Sequence, residues 1–302
     1  MRNVLVVGSN GFIGKNICRH LQKLGYKIFA ADRASKSSHS HFDNYFPFDV
    51  TTDNFSSIIN DVDSVIYLVS TLLPQPSNQN IEIDITENLI PVIKLLESIR
   101  VAGRQIKVIF SSSGGTVYGD HDNLIPENSA LVPKCSYGIL KVTVEHYLKL
   151  YHDLHGIPSV SLRLSNPYGP GQNINKPQGV VGIFLNKILA HENIEIWGDG
   201  SVIRDFVHVD DVANAFSHAL AASNGADIFN IGSGVGLSLK DLLTLMFELT
   251  ETKSEIIYQP PRQVDVTCNI LDISKAKRFL NWQPNISIKN GLINLIEDKL
   301  NK

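Results

Sequence analysis

Cysteine is scarce in this chain, and the scarcity excludes a good deal. Cys18, Cys135 and Cys268 are the only three among 302 residues. So widely separated, they build no disulfide framework and match no metal-ligand spacing, so no metal is expected, and a reducing, cytoplasmic compartment suits them. Charge of one sign is also missing, because 27 Lys and Arg face 30 Asp and Glu for a net charge of −3. No broad positive field gathers nucleic acid or an anionic membrane, and any phosphate has to be gripped locally by arginines or by amides at a helix start. Long apolar runs are absent too: the N-terminus passes straight into a short apolar stretch at residues 4–7, which predicts neither a signal peptide nor a membrane span. The Ser/His stretch at 35–41 lacks carboxylate or thiol partners and reads as a solvated loop.

What remains is ordinary globular composition, 43% hydrophobic and 19% charged. At this length one large α/β body or two unequal lobes are expected. Residues 4–7 read as a strand, then come glycines, then Ile13, Ile17, Leu21 and Leu24 at helical spacing. Gly25 stops that helix, and 26–31 reads as a second strand ending in Asp32. The alternation continues with strands at 65–69, 107–110 and 159–164 and helices at 86–99 and 137–151, which predicts a doubly wound parallel sheet. The Gly/Pro/Asn-rich stretch 167–179 reads as the exit into a smaller lobe.

Gly8, Gly11 and Gly14 stand three apart between the first strand and the first helix, with Asn10, Phe12 and Ile13 among them. That is the context of a dinucleotide loop: the first glycine allows the tight turn, the second lets backbone approach a pyrophosphate, and the third lets the helix pack on the sheet. Asp32 is placed to take the adenosine ribose hydroxyls, which favours NAD. Arg33 beside it could meet a 2′-phosphate and keeps NADP open.

Tyr137 and Lys141 lie four residues apart, hence on one face of one helix. A nearby ammonium and the positive nicotinamide ring are both expected to stabilise the phenolate, so that the tyrosine can shuttle a proton on a carbinol. The serine run at 111–113, at the end of a strand, offers a hydroxyl on the sheet edge where ligands of such folds bind. A lone His208 between valines and Trp282 read as structural.

Together these stretches resemble the extended short-chain dehydrogenase/reductase family, in the branch of NAD-dependent sugar-nucleotide epimerases and dehydratases. The similarity extends over nearly the whole chain. It includes Asp49, Asn88, the run from Leu162 to Gln172, the segment from Gly198 to Phe206, Asn230-Ile231-Gly232, Pro261-Arg262 and Trp282-Gln283-Pro284. The resemblance implies a Rossmann-type doubly wound parallel sheet with a smaller C-terminal substrate-binding lobe. Residues 1–165 with a returning segment near 205–232 would form the dinucleotide domain, and 166–204 with 233–302 the sugar-nucleotide lobe. It also implies that Asp49, Val50, Leu68 and Asn88 join the cofactor site, and that Asn166, Arg204 and Arg262 hold the diphosphate of a nucleotide sugar. For Arg204 and Arg262 read without that resemblance, surface ion pairs with Asp205 and Asp265 are the plainer expectation.

Relatives carry one residue fewer before Val-Tyr-Gly. Placing the extra residue at Gly114-Gly115 leaves Ser113 as the catalytic hydroxyl, with Ser112 and Thr116 as alternatives. The absence of an acidic pair after Ser113 disfavours dehydration. The implied activity is 4-epimerisation of a UDP-hexose-type sugar through a transient 4-keto intermediate. A 4-ketoreductase of a 4-keto-6-deoxy nucleotide sugar is the alternative, and a noncatalytic NAD-binding sensor a third reading. Relatives also pair as homodimers through two helices of each subunit, here those around 88–99 and 137–151.

Overall fold

The computed structural model describes residues 2–35, 44–121, 123–172, 179–222, 225–261 and 266–300. The strands, in chain order, are β1 (Asn3–Val7), β2 (Lys27–Asp32), β3 (Asn44–Pro47), β4 (Ser64–Tyr67), β5 (Lys107–Ser113), β6 (Ser159–Leu164) and β7 (Asn166–Tyr168). There follow β8 (Ile194–Trp197), β9 (Ile203–His208), β10 (Ala226–Ile231), β11 (Gly236–Ser238), β12 (Ile256–Gln259) and β13 (Cys268–Asn269). A seven-stranded sheet runs β10-β6-β5-β4-β1-β2-β3, every pair parallel, and helices cover both faces. The doubly wound sheet expected from the alternation is what the chain forms.

Burial on both faces explains the apolar run of β1. Val4 and Val6 enter a core with Ile17, Leu21, Phe216 and Trp282, whereas Leu5 and Val7 enter a second core with Val65, Leu95 and Leu148. Each fully buried side chain of this kind stabilises the fold by roughly 1.5–3 kcal/mol. The first helix, Phe12–Lys23, ends as its glycine predicts. Gly25 takes φ +80°, and the amides of Gly25 and Tyr26 return to the carbonyls of Gln22 and Leu21. Leu24 falls beyond the helix and is exposed, so it does not belong to the apolar stripe.

The helix expected at 86–99 begins earlier and is irregular: Ile81–Asp84 leads through a wide turn at Ile85–Leu89 into Ile90–Ala102. Pro91 has no N–H to complete a regular turn with residue 87, and the backbone is widened where that bond would fall. The helix expected at 137–151 runs further, Ser136–His155, and stops at Gly156 with φ +69°.

Outside the seven-stranded sheet β9 pairs with β11, β13 and β7, while β8 pairs with β12. Tyr168, Leu185, Phe206, Leu242 and Met246 are central to the core there. Asp205 is fully buried and fastens this region, accepting from the Ser165 hydroxyl and from the amides of Ser233, Gly234 and Leu271. His208 is structural as expected, with Nδ1 accepting from the Asp210 amide and the ring edge-on to Tyr168 at 5.4 Å. Trp282 is buried and donates to the Asp211 carbonyl at 3.0 Å. Among the described residues no helix is long and apolar enough to cross a membrane.

Candidate active site

Parallel pairing brings the carboxyl ends of β1, β2, β4 and β5 to one edge, and the predicted cofactor residues gather there. Gly8 follows β1 with φ +89°, a conformation that side chains resist. At Gly14 the constraint is closeness: a Cβ would lie 2.2 Å from the Gly8 carbonyl oxygen and 2.9 Å from the Ser9 Cα. Gly11 is the N-cap of Phe12–Lys23, where no side chain caps the helix and no acid occupies the first turn. Such a helix start, with Phe12 and Ile13 half-buried in it, suits a pyrophosphate.

Asp32, at the end of β2, braces this loop by accepting the Asn10 amide at 3.0 Å, and the Asn10 side chain donates to the Tyr45 hydroxyl. Arg33 is exposed beside it. Asp49 takes the amide and hydroxyl of Thr51, which with the nearby Arg33 charge hold its carboxyl below the ordinary range; Val50 is buried. Leu68 flanks the glycine turn, close enough that a Cβ at Gly8 would lie 3.4 Å from its own.

Asn88, expected at the cofactor, has its side chain committed elsewhere: it accepts from the Thr71 amide at 2.9 Å and donates to Thr71 Oγ1 and to Asp84. It therefore braces the 70–73 loop over the site.

Tyr137 and Lys141 stand on the first turns of Ser136–His155. Lys141 Nζ donates to the Ser111 carbonyl at 2.8 Å and lies 5.2 Å from the centre of the Tyr137 ring. Burial pulls Lys141 down to about 8, with the charges of Glu145 and Asp84 working upward. Tyr137 corrects the expectation of a lowered phenol. Burial pushes it up to about 12, against a hydrogen bond with the Ser113 hydroxyl, and the phenol stays protonated in the protein alone.

Ser112 faces the same helix two turns beyond Tyr137, where its hydroxyl is committed to Glu145 at 2.5 Å. Ser113, the next residue on β5, acts on the phenol and opposes the rise caused by burial. Thr116 Oγ1 is buried without a hydrogen-bond partner.

On the substrate side, Asn166 donates to the Asp205 carbonyl at 3.0 Å. Arg204 donates to the carbonyls of Ile203 and Val266, and its charge reaches Asp120. The carboxylate of Asp205 is turned into its own buried network, so the plain ion pair between these neighbours is not formed. Arg262 and Asp265 lie outside the described residues, as do 36–41 of the Ser/His stretch.

Three residues that sequence reasoning missed hold the start of the catalytic helix. Cys135, its N-cap, offers no side-chain bond. Instead Asn78 accepts from the Ser136 amide, Ser77 from the Tyr137 amide and Asp84 from the Ser136 hydroxyl, at 2.8, 3.0 and 2.7 Å. Only the spacing of Asp84 and Asn88, one helical turn apart, hinted at this cluster.

The chain is 36% identical to dTDP-4-dehydro-6-deoxyglucose reductase of Escherichia coli, covering 97% of this chain and 96% of that protein. It superposes with a TM-score of 0.93 on UDP-glucose 4-epimerase from Thermotoga maritima with UDP-glucose, at 33% identity over 99% and 100% of the two chains. It superposes at 0.89 on Thermus thermophilus UDP-glucose 4-epimerase in complex with NAD, at 28% identity over 98% of each. Residues 4–232 carry the glycine loop, the serine run and the Tyr137–Lys141 pair, and they match one family model along that whole length: the chain belongs to the NAD dependent epimerase/dehydratase family.

Proposed function

We propose that the chain is an NAD-dependent 4-epimerase of a nucleotide-diphosphate sugar of the UDP-hexose type. The observation that carries this reading is that Tyr137 and Lys141, with Lys141 held by the Ser111 carbonyl at 2.8 Å, stand at the sheet edge that also bears the glycine loop. Gly8, Asn10, Gly11, Phe12, Ile13 and Gly14 would hold the dinucleotide pyrophosphate and Asp32 its ribose, with Arg33, Asp49, Val50, Leu68 and Asn88 around them. When bound, oxidised NAD would supply reversible redox capacity at the sugar C4 and a positive charge that adds to that of Lys141 in favouring the phenolate of Tyr137.

Tyr137 takes the proton of the sugar O4 and later returns it, so the 4-keto sugar is transient and no proton is lost overall. The Ser113 hydroxyl hydrogen-bonds the reacting oxygen, and the Lys141 ammonium, held by the Ser111 carbonyl, supplies positive charge beside the phenol. Asn166, Arg204 and Arg262 would keep the diphosphate anchored while the sugar turns over.

Purified protein should interconvert UDP-hexoses epimeric at C4 with no net change in the absorbance of the reduced cofactor. A second reading has support in the 36% identity to the Escherichia coli reductase: reduction of a 4-keto-6-deoxy nucleotide sugar by the same residues. Stoichiometric loss of NADH or NADPH with that substrate, and none of the epimerisation, would establish the reductase instead.

The assembly proposed is a homodimer. Ile139, Leu150 and Leu154 form one exposed stripe on Ser136–His155, and Ile90 and Val101 are exposed on Ile90–Ala102. Leu150→Glu is expected to convert a dimer to a monomer in sedimentation velocity; a wild-type chain that sediments as a monomer at all concentrations removes the proposal.

A further inference from the structure

Asp84 is a carboxylate that the proposed reaction does not use, yet it is 1% exposed and sits beside the catalytic pair. Its two oxygens are committed to two different elements: one accepts from the Ser136 hydroxyl at 2.7 Å, the other from the Asn88 side-chain amide at 2.8 Å. Asp84, Asn88, Tyr137 and Lys141 also line a common cavity of about 10 Å³, together with Val69 and Ser70, a space on the order of one water. A buried carboxylate is costly to the fold unless hydrogen bonds and a nearby cation compensate it. Here the hydrogen bonds come from Ser136 and Asn88, and the cation lining the same cavity is Lys141.

We infer that Asp84 is a positioning residue that locks the first turn of the catalytic helix and, through its charge, keeps the Lys141 side chain an ammonium at the pH where the pair works. This rests on the reading of Tyr137 and Lys141 as the working pair. The groups whose charges act on Lys141 are Glu145, one turn along its own helix, and Asp84, from the segment packed across it. Glu145 is already engaged by Arg163 at 2.6 Å, which leaves Asp84 as the carboxylate on the cavity side. Burial draws Lys141 down to about 8 and both carboxylates oppose this. Removing the Asp84 charge therefore lowers the midpoint further, and the ammonium is lost at a lower pH.

The test compares wild type, Asp84→Asn and Ser136→Ala, each saturated with NAD, by titrating the Cε signal of Lys141 in protein carrying ¹³C-labelled lysine. Loss of the signal in Lys141→Met assigns it. Asp84→Asn is expected to move the midpoint down by about one pH unit, a tenfold loss of proton affinity. Ser136→Ala, which loses the hydrogen bond and keeps the charge, is expected to leave it in place. The alkaline limb of turnover should move with the Lys141 midpoint. An unchanged midpoint in Asp84→Asn, or an equal shift in Ser136→Ala, overturns the inference. Should Asp84→Asn not fold, Asp84→Ser reports through the same signal. The titration needs no sugar substrate, so failure of the inference and failure of the proposed reaction are read separately.

Discussion

Tyr137→Phe is expected to lower turnover of the nucleotide sugar by about a thousandfold, within the range that loss of a general acid–base group produces, or on the order of 4 kcal/mol of barrier. The substitution removes one oxygen and keeps the ring over which Lys141 lies at 5.2 Å. The Lys141 bond to the Ser111 carbonyl and the glycine loop are untouched, so bound NAD and thermal stability should stay near wild type. Initial rates in both directions, with dinucleotide content measured by absorbance after denaturation, check this. Retention of a tenth or more of the wild-type rate would show that another group carries the proton and would favour a different role for Tyr137. Loss of rate with cofactor retained is also the result that a noncatalytic sensor could not give, since such a protein has no turnover to lose.

The second large effect is on stability. Arg163 on β6 is 2% exposed and donates to both oxygens of Glu145, to the Tyr118 hydroxyl at 2.7 Å and to the Glu127 carbonyl at 3.1 Å. Glu145 also accepts from Ser112, and Tyr118 donates to Asn230 at 2.7 Å. Arg163→Leu strips the cation from this network and leaves the Glu145 carboxylate buried. Breaking such a pair costs roughly 3–5 kcal/mol, a large share of the roughly 5–15 kcal/mol that holds most domains together. Urea unfolding should show that loss, and a matched Glu145→Leu change added to it should recover much of it, because the stranded charge is then gone. A single variant within about 1 kcal/mol of wild type would mean that water reaches Glu145 in the folded state. The network also bears on activity. Ser112 and Ser113 are consecutive on β5, so the bond that fixes one helps to set the strand end that presents the other.

Much of the architecture is legible in the chain because it is written locally. Apolar residues at 4–7 and at helical spacing after Gly14 identify the first βαβ unit, and Gly25 marks its turn, since these patterns involve neighbours within a few residues. The Tyr137–Lys141 pair is legible for the same reason: four residues along a helix return to the same face. The helical segment Ile81–Ala102 is less legible. Its wide turn at Ile85–Leu89 falls where Pro91 lacks the N–H of a regular turn, and apolar spacing alone does not report that.

Among the candidate residues, the sequence alone determined the glycine loop, the acid at the end of the second strand, and the tyrosine and lysine; together these indicate the family. The tertiary structure decided that the Ser112 hydroxyl is spent on Glu145, whereas Ser113 acts on the phenol. It also decided that burial raises the Tyr137 phenol, that Asn88 and Arg204 spend donors on the backbone and neighbouring loop, and that Ser77, Asn78 and Asp84 cap a helix more than fifty positions away. The physical reason is common to all of these. Spacing along the chain specifies which side chains share a face, whereas desolvation and hydrogen-bond partners are set by groups that only folding brings together.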